Sequence, residues 1–288
     1  MIVHLNGRFL ADRDASISPL DRGFLFGDGV YEVVRAFDGT LVEAARHWTR
    51  LARSLREVRI PGGAFGAEAM SDLARWLLEE NGLKRGHAIV YVEITRGSAS
   101  PRTHHFPTAG TAPTIFAYAS PFVPVDGHRI HGVPIILAPD ERWGRCDIKS
   151  VNLLPNAMAK QLAVEAGAWE TVFVRGGRIT EGTSSNLFAV IDGVLRTHPT
   201  THAILGGVTR DVVLEIARSS GLTVDEAAFT VAELESADEA YLTSTTNDVM
   251  PVVRVDAATI GGGEPGAMPR RLGEALRRLL YAGRAAGG

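Results

Sequence analysis

The chain has 288 residues, 45% hydrophobic and 22% charged, with a formal net charge of -3. That is enough apolar material for two domain cores, too much for a disordered chain, and no basic field for nucleic acid. One cysteine, Cys146, excludes an internal disulfide; no stretch approaches the roughly 18 uninterrupted apolar residues of a membrane span, and the opening MIVHLNGRFLADRD has no apolar targeting core, so a cytoplasmic protein with no membrane partner is expected.

In chain order, Asn6-Gly7 between residues 3–5 and 8–10 signals a tight hairpin, and Asp38-Gly39 returns the alternating run 30–37 into 40–42. Between the hairpins, Ser18-Pro19 and the glycine-rich stretch DRGFLFGDG at 21–29 are expected to form a loop. Helical spacing of Trp48, Leu51, Leu55 and Val58 predicts a helix over 43–59 that stops before Pro61-Gly62-Gly63, and a second helix spans 67–80 before Asn81-Gly82. Strands at 88–95 and 114–119 bracket a loop, 96–113, that is too long and polar to be a mere connection. These elements make an N-terminal α/β domain over 1–120, and the prolines and glycine of 121–127 mark a linker.

The C-terminal α/β domain, 128–288, opens on a strand near 133–137 and carries the segment CDIKSVNLLPN at 146–156. A helix over 156–165 follows, then hairpins turning at Gly176-Gly177 and Asp192-Gly193. Val212, Val213, Ile216 and Ala217 fit a helix that starts near Thr209 and stops at Gly221; strands at 239–243 and 249–255 and a helix over 269–281 complete a mixed α+β chain.

Only three lysines stand against 27 arginines, so positive charge alone is supplied by arginine and a lysine points to amine chemistry, which guanidinium cannot perform. Lys84 lies in a polar turn and Lys160 on a helical pattern. Lys149 follows an extended run at a strand-to-loop end, where functional groups commonly sit. From this stretch alone, a lysine paired with Asp147 or Asp140 is the default reading, and it is features further along the chain that overturn it.

Four further features are consistent with a phosphorylated aromatic aldehyde bearing a ring nitrogen. Gly206-Gly207-Val208-Thr209-Arg210 precedes a helix whose N-terminal N–H groups would receive an anion, unless Thr209 is simply its cap. The hydroxyl-rich turn Thr243-Ser244-Thr245-Thr246 is a second such place, and Arg50 can add charge or be a solvated helix arginine. Glu181, in TEGTSSN, can hold a pyridine nitrogen protonated, which makes the ring an electron sink, or be a surface acid. Arg102 and His104, in SPRTHHFP, can clamp a carboxylate or be solvated, and Tyr31 can be a core aromatic or a donor to substrate. The histidine spacing matches no metal motif, so no metal is expected.

GDGVYE, HWTR, TRG followed by PRTH, CDIKSVNLLPNAMAKQ, TEGTSSN, ILGGVTRD and TSTTNDVMPV run from about Asn6 to Val253. Together they resemble the fold-type IV (class IV) pyridoxal-phosphate aminotransferases, most closely the D-amino-acid aminotransferase branch. The resemblance implies two α/β domains with pyridoxal 5'-phosphate in the cleft between them, and a homodimer in which the partner subunit supplies the carboxylate-binding loop. It makes Lys149 the Schiff-base lysine and Glu181 the partner of the ring nitrogen, packs Leu205 on the ring, and gives the phosphate to Arg50, Val208, Thr209, Thr245 and Thr246. Tyr31, Arg102 and His104 become the carboxylate trap. The implied reaction moves an amino group from a D-amino acid to a 2-oxo acid by a ping-pong mechanism. Branched-chain L-amino-acid aminotransferases, (R)-amine transaminases and aminodeoxychorismate lyases share the scaffold, and the Arg102/His104 pair favours the D-amino-acid reading. A non-enzymatic cofactor-binding protein fits least, since both Lys149 and Glu181 are present.

Overall fold

The structure, a computed structural model, describes residues 1–62, 66–107 and 110–281. Gly63, in the predicted helix stop, and residues 108–109 of the predicted 96–113 loop lie outside the described residues. The chain forms two units: Met1–Val123 with Ile148–Leu153, and Pro124–Asp147 with Leu154 onward. Lys149 therefore groups with the N-terminal unit, whereas the sequence reading placed it in the C-terminal half.

The first unit contains β1 (Ile2–Leu5), β2 (Arg8–Ala11), α1 (Arg22–Phe26), β3 (Gly29–Phe37), β4 (Thr40–Leu41), α2 (Ala44–Glu57), α3 (Ala67–Glu80), β5 (His87–Thr95) and β6 (Thr114–Pro121). Among the described residues its sheet has six strands in the order β2-β1-β6-β5-β3-β4, antiparallel at every pairing. Both predicted hairpin turns are left-handed at their two central positions, Asn6 and Gly7 at φ 51 and 81 and Asp38 and Gly39 at 45 and 73, as tight antiparallel turns require. Alternation along the strands puts Val30, Val34, Val90, Val92 and Ile94 on one face, buried against Trp48, Leu51 and Leu55 of α2 and Ala74, Leu77 and Leu78 of α3. Residues 22–26, expected as loop, form the short helix α1: the Asp21 carboxylate accepts from the Gly23 N–H at 2.8 Å, and Gly27 at φ 65 ends it. The segment 148–153 is tied to β3. Tyr31 N–H donates to the Lys149 carbonyl at 3.0 Å, Val151 N–H donates to the Gly29 carbonyl at 3.1 Å, and Ile148 joins the apolar core.

The second unit contains α4 (Asp126–His131), β7 (Val133–Pro139), α5 (Leu154–Glu165), β8 (Glu170–Arg175), β9 (Arg178–Gly182), β10 (Asn186–Ile191), β11 (Val194–Thr197), α6 (Val208–Ser219), β12 (Val224–Asp225), α7 (Val231–Glu235), β13 (Glu239–Ser244), β14 (Asp248–Val255), β15 (Ala258–Thr259) and α8 (Ala267–Tyr281). Its sheet runs β12-β11-β10-β13-β14-β7-β8-β9 among the described residues, with β15 also on β14. The β14/β7, β7/β8 and β11/β12 pairs are parallel and the rest antiparallel. Phe188, Val190 and Tyr241 pack with Val212, Val213 and Ala217 of α6 and Leu272 and Leu276 of α8, while Leu187, Ala189 and Leu242 enter a second cluster with Phe229 and Leu234. The helix expected from Thr209 begins one residue earlier, at Val208, and α4 overlaps the expected linker. No described helix is long and apolar enough to cross a membrane.

Candidate active site

In the first unit, Lys149 sits in the short segment held against β3, its half-buried side chain placing Nζ 4.1 Å from the centre of the Tyr31 ring. The carboxylates that the sequence offered it are taken by arginines. Asp147 receives Arg145 at 2.9 and 3.0 Å, and Asp140 receives Arg142 and Arg175. Among the described residues no carboxylate pairs with Lys149, so the ion-paired reading fails. Lys84 instead pairs with Glu79 on the surface, and Lys160 donates to the Trp169 carbonyl and lies 3.6 Å from Glu170. Tyr31 stacks on Tyr91, whose hydroxyl donates to Glu93 at 2.6 Å.

Arg50 belongs to the same unit and is committed to an internal network. Its Nε and a terminal nitrogen donate to the two oxygens of Glu32 at 2.7 and 2.9 Å, and His47 Nδ1 lies 2.8 Å from Glu32. Glu32 is fully buried; burial alone would raise its pKa, yet the Arg50 charge and the His47 contact outweigh it and hold the carboxyl at about 2. Burial pushes His47 down, against the pull of Glu32.

Arg102 and His104 are brought together on one ring. The Arg102 guanidinium lies 4.5 Å over Phe26, and His104 meets the same ring edge-on at 5.6 Å. Both side chains are exposed. Within this chain Tyr31 goes with Lys149 and Tyr91, while Arg102 and His104 go with Phe26.

The second unit holds Glu181 at the end of β9, 5% exposed. One carboxylate oxygen accepts from Arg142 at 2.5 Å; the other accepts from the Leu205 N–H at 3.0 Å and from Asn186 Nδ2 at 3.1 Å. Burial pushes the carboxyl up to about 7 while Arg142 and the Leu205 N–H pull it down. A carboxylate offers about four acceptor directions, so the three donors leave room for one more, which suits a protonated ring nitrogen. Arg142 grips Asp140 through two bonds of 2.9 Å, donates to the Ala203 carbonyl at 3.2 Å and lies 4.4 Å over Phe173. Despite the cost of burial, Asp140 and Glu181 hold its guanidinium charged.

Asn186 links this acid to the start of α6, since its Nδ2 also donates to the Leu205 carbonyl at 2.9 Å. Gly207 is the N-cap of α6 and supplies no side-chain cap; a Cβ there would lie 2.1 Å from Asn186 Oδ1. The bare backbone leaves the first N–H groups of α6 and the positive end of its dipole to an anion, the donor set that a phosphate needs. Thr209 lies in this first turn and is not the cap. Strand register sets Thr243 opposite Asn186, and the turn that follows presents Thr245 and Thr246 half-buried, with the Thr246 hydroxyl 3.5 Å from that of Ser244.

Sequence reasoning missed Arg142, Asn186, Glu32 and His47. Asn186, Glu32 and His47 stand inside motifs that it quoted, but nothing in their spacing shows that they meet Glu181 or Arg50. Arg142 carries no signal among 27 arginines.

The amino-transferase class IV family matches residues 29–255. The chain is 42% identical over 280 residues to the D-alanine aminotransferase of Bacillus licheniformis, covering 97% of each, and 40% identical over 278 residues to that of Staphylococcus haemolyticus, covering 96% of this chain and 97% of the other. It is similar to the crystal structure of the branched-chain amino acid aminotransferase of Escherichia coli, with a TM-score of 0.88 at 25% identity over 97% and 94% of the two chains. It is also similar to the T.th. branched-chain amino acid aminotransferase complexed with N-(5'-phosphopyridoxyl)-L-glutamate, with a TM-score of 0.86 at 26% identity over 99% and 95%.

Proposed function

The chain belongs to the amino-transferase class IV family and is a pyridoxal-phosphate-dependent aminotransferase, and we propose that it moves the amino group of D-amino acids, D-alanine in type, to 2-oxo acids. The observation that carries the chemistry is the Lys149 amine, unpaired by any described carboxylate and poised on the Tyr31 ring. The name and 40–42% identity of the D-alanine aminotransferases over nearly the whole chain support the substrate class.

When bound, the cofactor supplies an electron sink for charge released at the substrate Cα. Lys149 binds it and carries the proton away from and back to that carbon. Glu181, braced by Arg142 and Asn186, keeps the ring nitrogen protonated, and Leu205 covers the ring. The N–H groups at Val208 and Thr209, the hydroxyls of Thr209, Thr245 and Thr246, and the Arg50 charge hold the phosphate. Tyr31, Arg102 and His104 orient the substrate carboxylate, the loop with the latter two coming from the partner subunit of a homodimer. Cys146, free and buried, suits a reducing cytoplasm.

A branched-chain L-amino-acid reading is supported by the solved structures of that name. The Arg102/His104 pair weighs against it. The test of the common chemistry is Lys149→Ala, which is expected to fold and to lose transamination, with borohydride fixing cofactor to Lys149 in the parent. Fixation at Lys84 or Lys160 would contradict the assignment.

A further inference from the structure

We propose that Asp28, acting through Arg22 and Arg96, positions the loop that carries Arg102 and His104, and thereby sets the affinity for the carboxylate common to the amino acid and oxo acid substrates. The inference rests on the reading above that this loop recognises that carboxylate.

Asp28 Oδ2 accepts from Arg22 Nε at 2.7 Å and from Arg96 Nε at 2.8 Å, and its other oxygen accepts from Arg96 at 2.9 Å. Side-chain exposures of 5%, 7% and 12% for Arg22, Arg96 and Asp28 leave the two guanidiniums buried and the carboxylate only slightly open to water. What the two guanidiniums do with their remaining donors is specific. Arg22 reaches three successive loop carbonyls, Thr103 at 2.7 Å, His104 at 3.3 Å and His105 at 3.4 Å. Arg96 donates to the carbonyls of Val58 and Arg59 just beyond α2, at 2.6 and 3.0 Å, and lies over Phe106 of the loop at 3.6 Å, with Arg59 over that ring at 4.9 Å.

The Phe26 ring completes the connection, because Arg22 lies over it at 4.7 Å beside Arg102 and His104. One guanidinium therefore fixes both the backbone of the recognition residues and the ring on which their side chains rest. A planar fork is needed: lysine at 22 could answer Asp28 but could not span three carbonyls. Asp28 is in turn needed because it is the carboxylate that both buried guanidiniums share, and without it Arg22 and Arg96 would repel and swing toward solvent. Burial works against the Asp28 charge, but Arg96 and Arg22 together hold its carboxyl below the usual range. The hub's contacts shown run to Asp28, to the loop and to the end of α2, so its effect on catalysis passes through the loop.

The experiment uses holoenzyme of Arg22→Lys, Asp28→Asn and, as a control on the carboxylate reading, Arg102→Ala, with steady-state kinetics for D-alanine and pyruvate, cofactor absorbance per subunit and thermal melts. In Arg22→Lys and Asp28→Asn, KM for both substrates is expected to rise about tenfold while kcat stays within about threefold and cofactor content is unchanged. If Arg102→Ala raises KM but the two hub variants do not, the positioning role is wrong and the carboxylate reading stands. If Arg102→Ala leaves KM unchanged, the carboxylate reading itself fails. If Arg22→Lys, which retains the cation, loses cofactor, melting temperature and kcat together, the hub is a general brace of the fold and the specific role is overturned.

Discussion

Glu181 shows how a single residue can be over-determined by its surroundings. Its carboxyl is pushed up by burial to about 7 from an ordinary 4.5, in spite of Arg142 at 2.5 Å. A folded-state value above the unfolded one means that its contribution to stability is full below pH 4.5 and is lost as pH rises through about 7, by roughly 3 kcal/mol. Glutamine cannot ionise. In cofactor-free protein, Glu181→Gln should therefore melt progressively higher relative to the parent between about pH 5 and about pH 8, whereas a gap that does not change with pH would show that the carboxyl is ionised throughout. With cofactor bound, the same variant should turn over more slowly, because a glutamine does not keep the ring nitrogen protonated.

At this scale legibility followed rarity. Lys149 stands out because only three lysines exist, and Glu181 because it lies in a short, distinctive motif. Arg142 and Asp140, which share in setting the state of Glu181, are ordinary residue types, and only the fold brings positions 39 residues apart within hydrogen-bond reach.

Among elements, α6 is the one whose start the proposed function gives to the cofactor phosphate. Its start depends on Gly207 having no side chain, since a Cβ there would meet Asn186 Oδ1 at 2.1 Å. Gly207→Ala should displace Asn186, and with it the contacts to Glu181 and the Leu205 carbonyl. Cofactor affinity in an absorbance titration is expected to fall roughly tenfold, at a stability cost of about 1–3 kcal/mol. Affinity unchanged within error would mean that the helix start holds no phosphate. Long amphipathic elements were readable from period and stop signals: α3 spans 67–80 as predicted, and α8 only adds two residues at its start. The short helices α1, α4 and α7, of five or six residues, complete too few turns to show a period. For α7 the capping box of Thr230 and Glu233 was a usable signal that went unread. Sequence order alone also could not show that 148–153 bonds to β3, more than a hundred residues earlier, and groups with the first unit.

For the molecule as a whole, the motifs point one way because they occur in a fixed order across nearly the entire chain, although each alone is short. What the order does not encode is which carboxylic substrate is chosen, which under the proposed function depends on how Arg102 and His104 are held. The D-amino-acid reading makes a direct demand on the whole enzyme. Purified holoprotein mixed separately with D-alanine and with L-leucine, in single-turnover conditions, should lose its visible cofactor absorbance far faster with D-alanine, and pyruvate should restore it. Faster bleaching by L-leucine would contradict the account and favour the branched-chain reading instead.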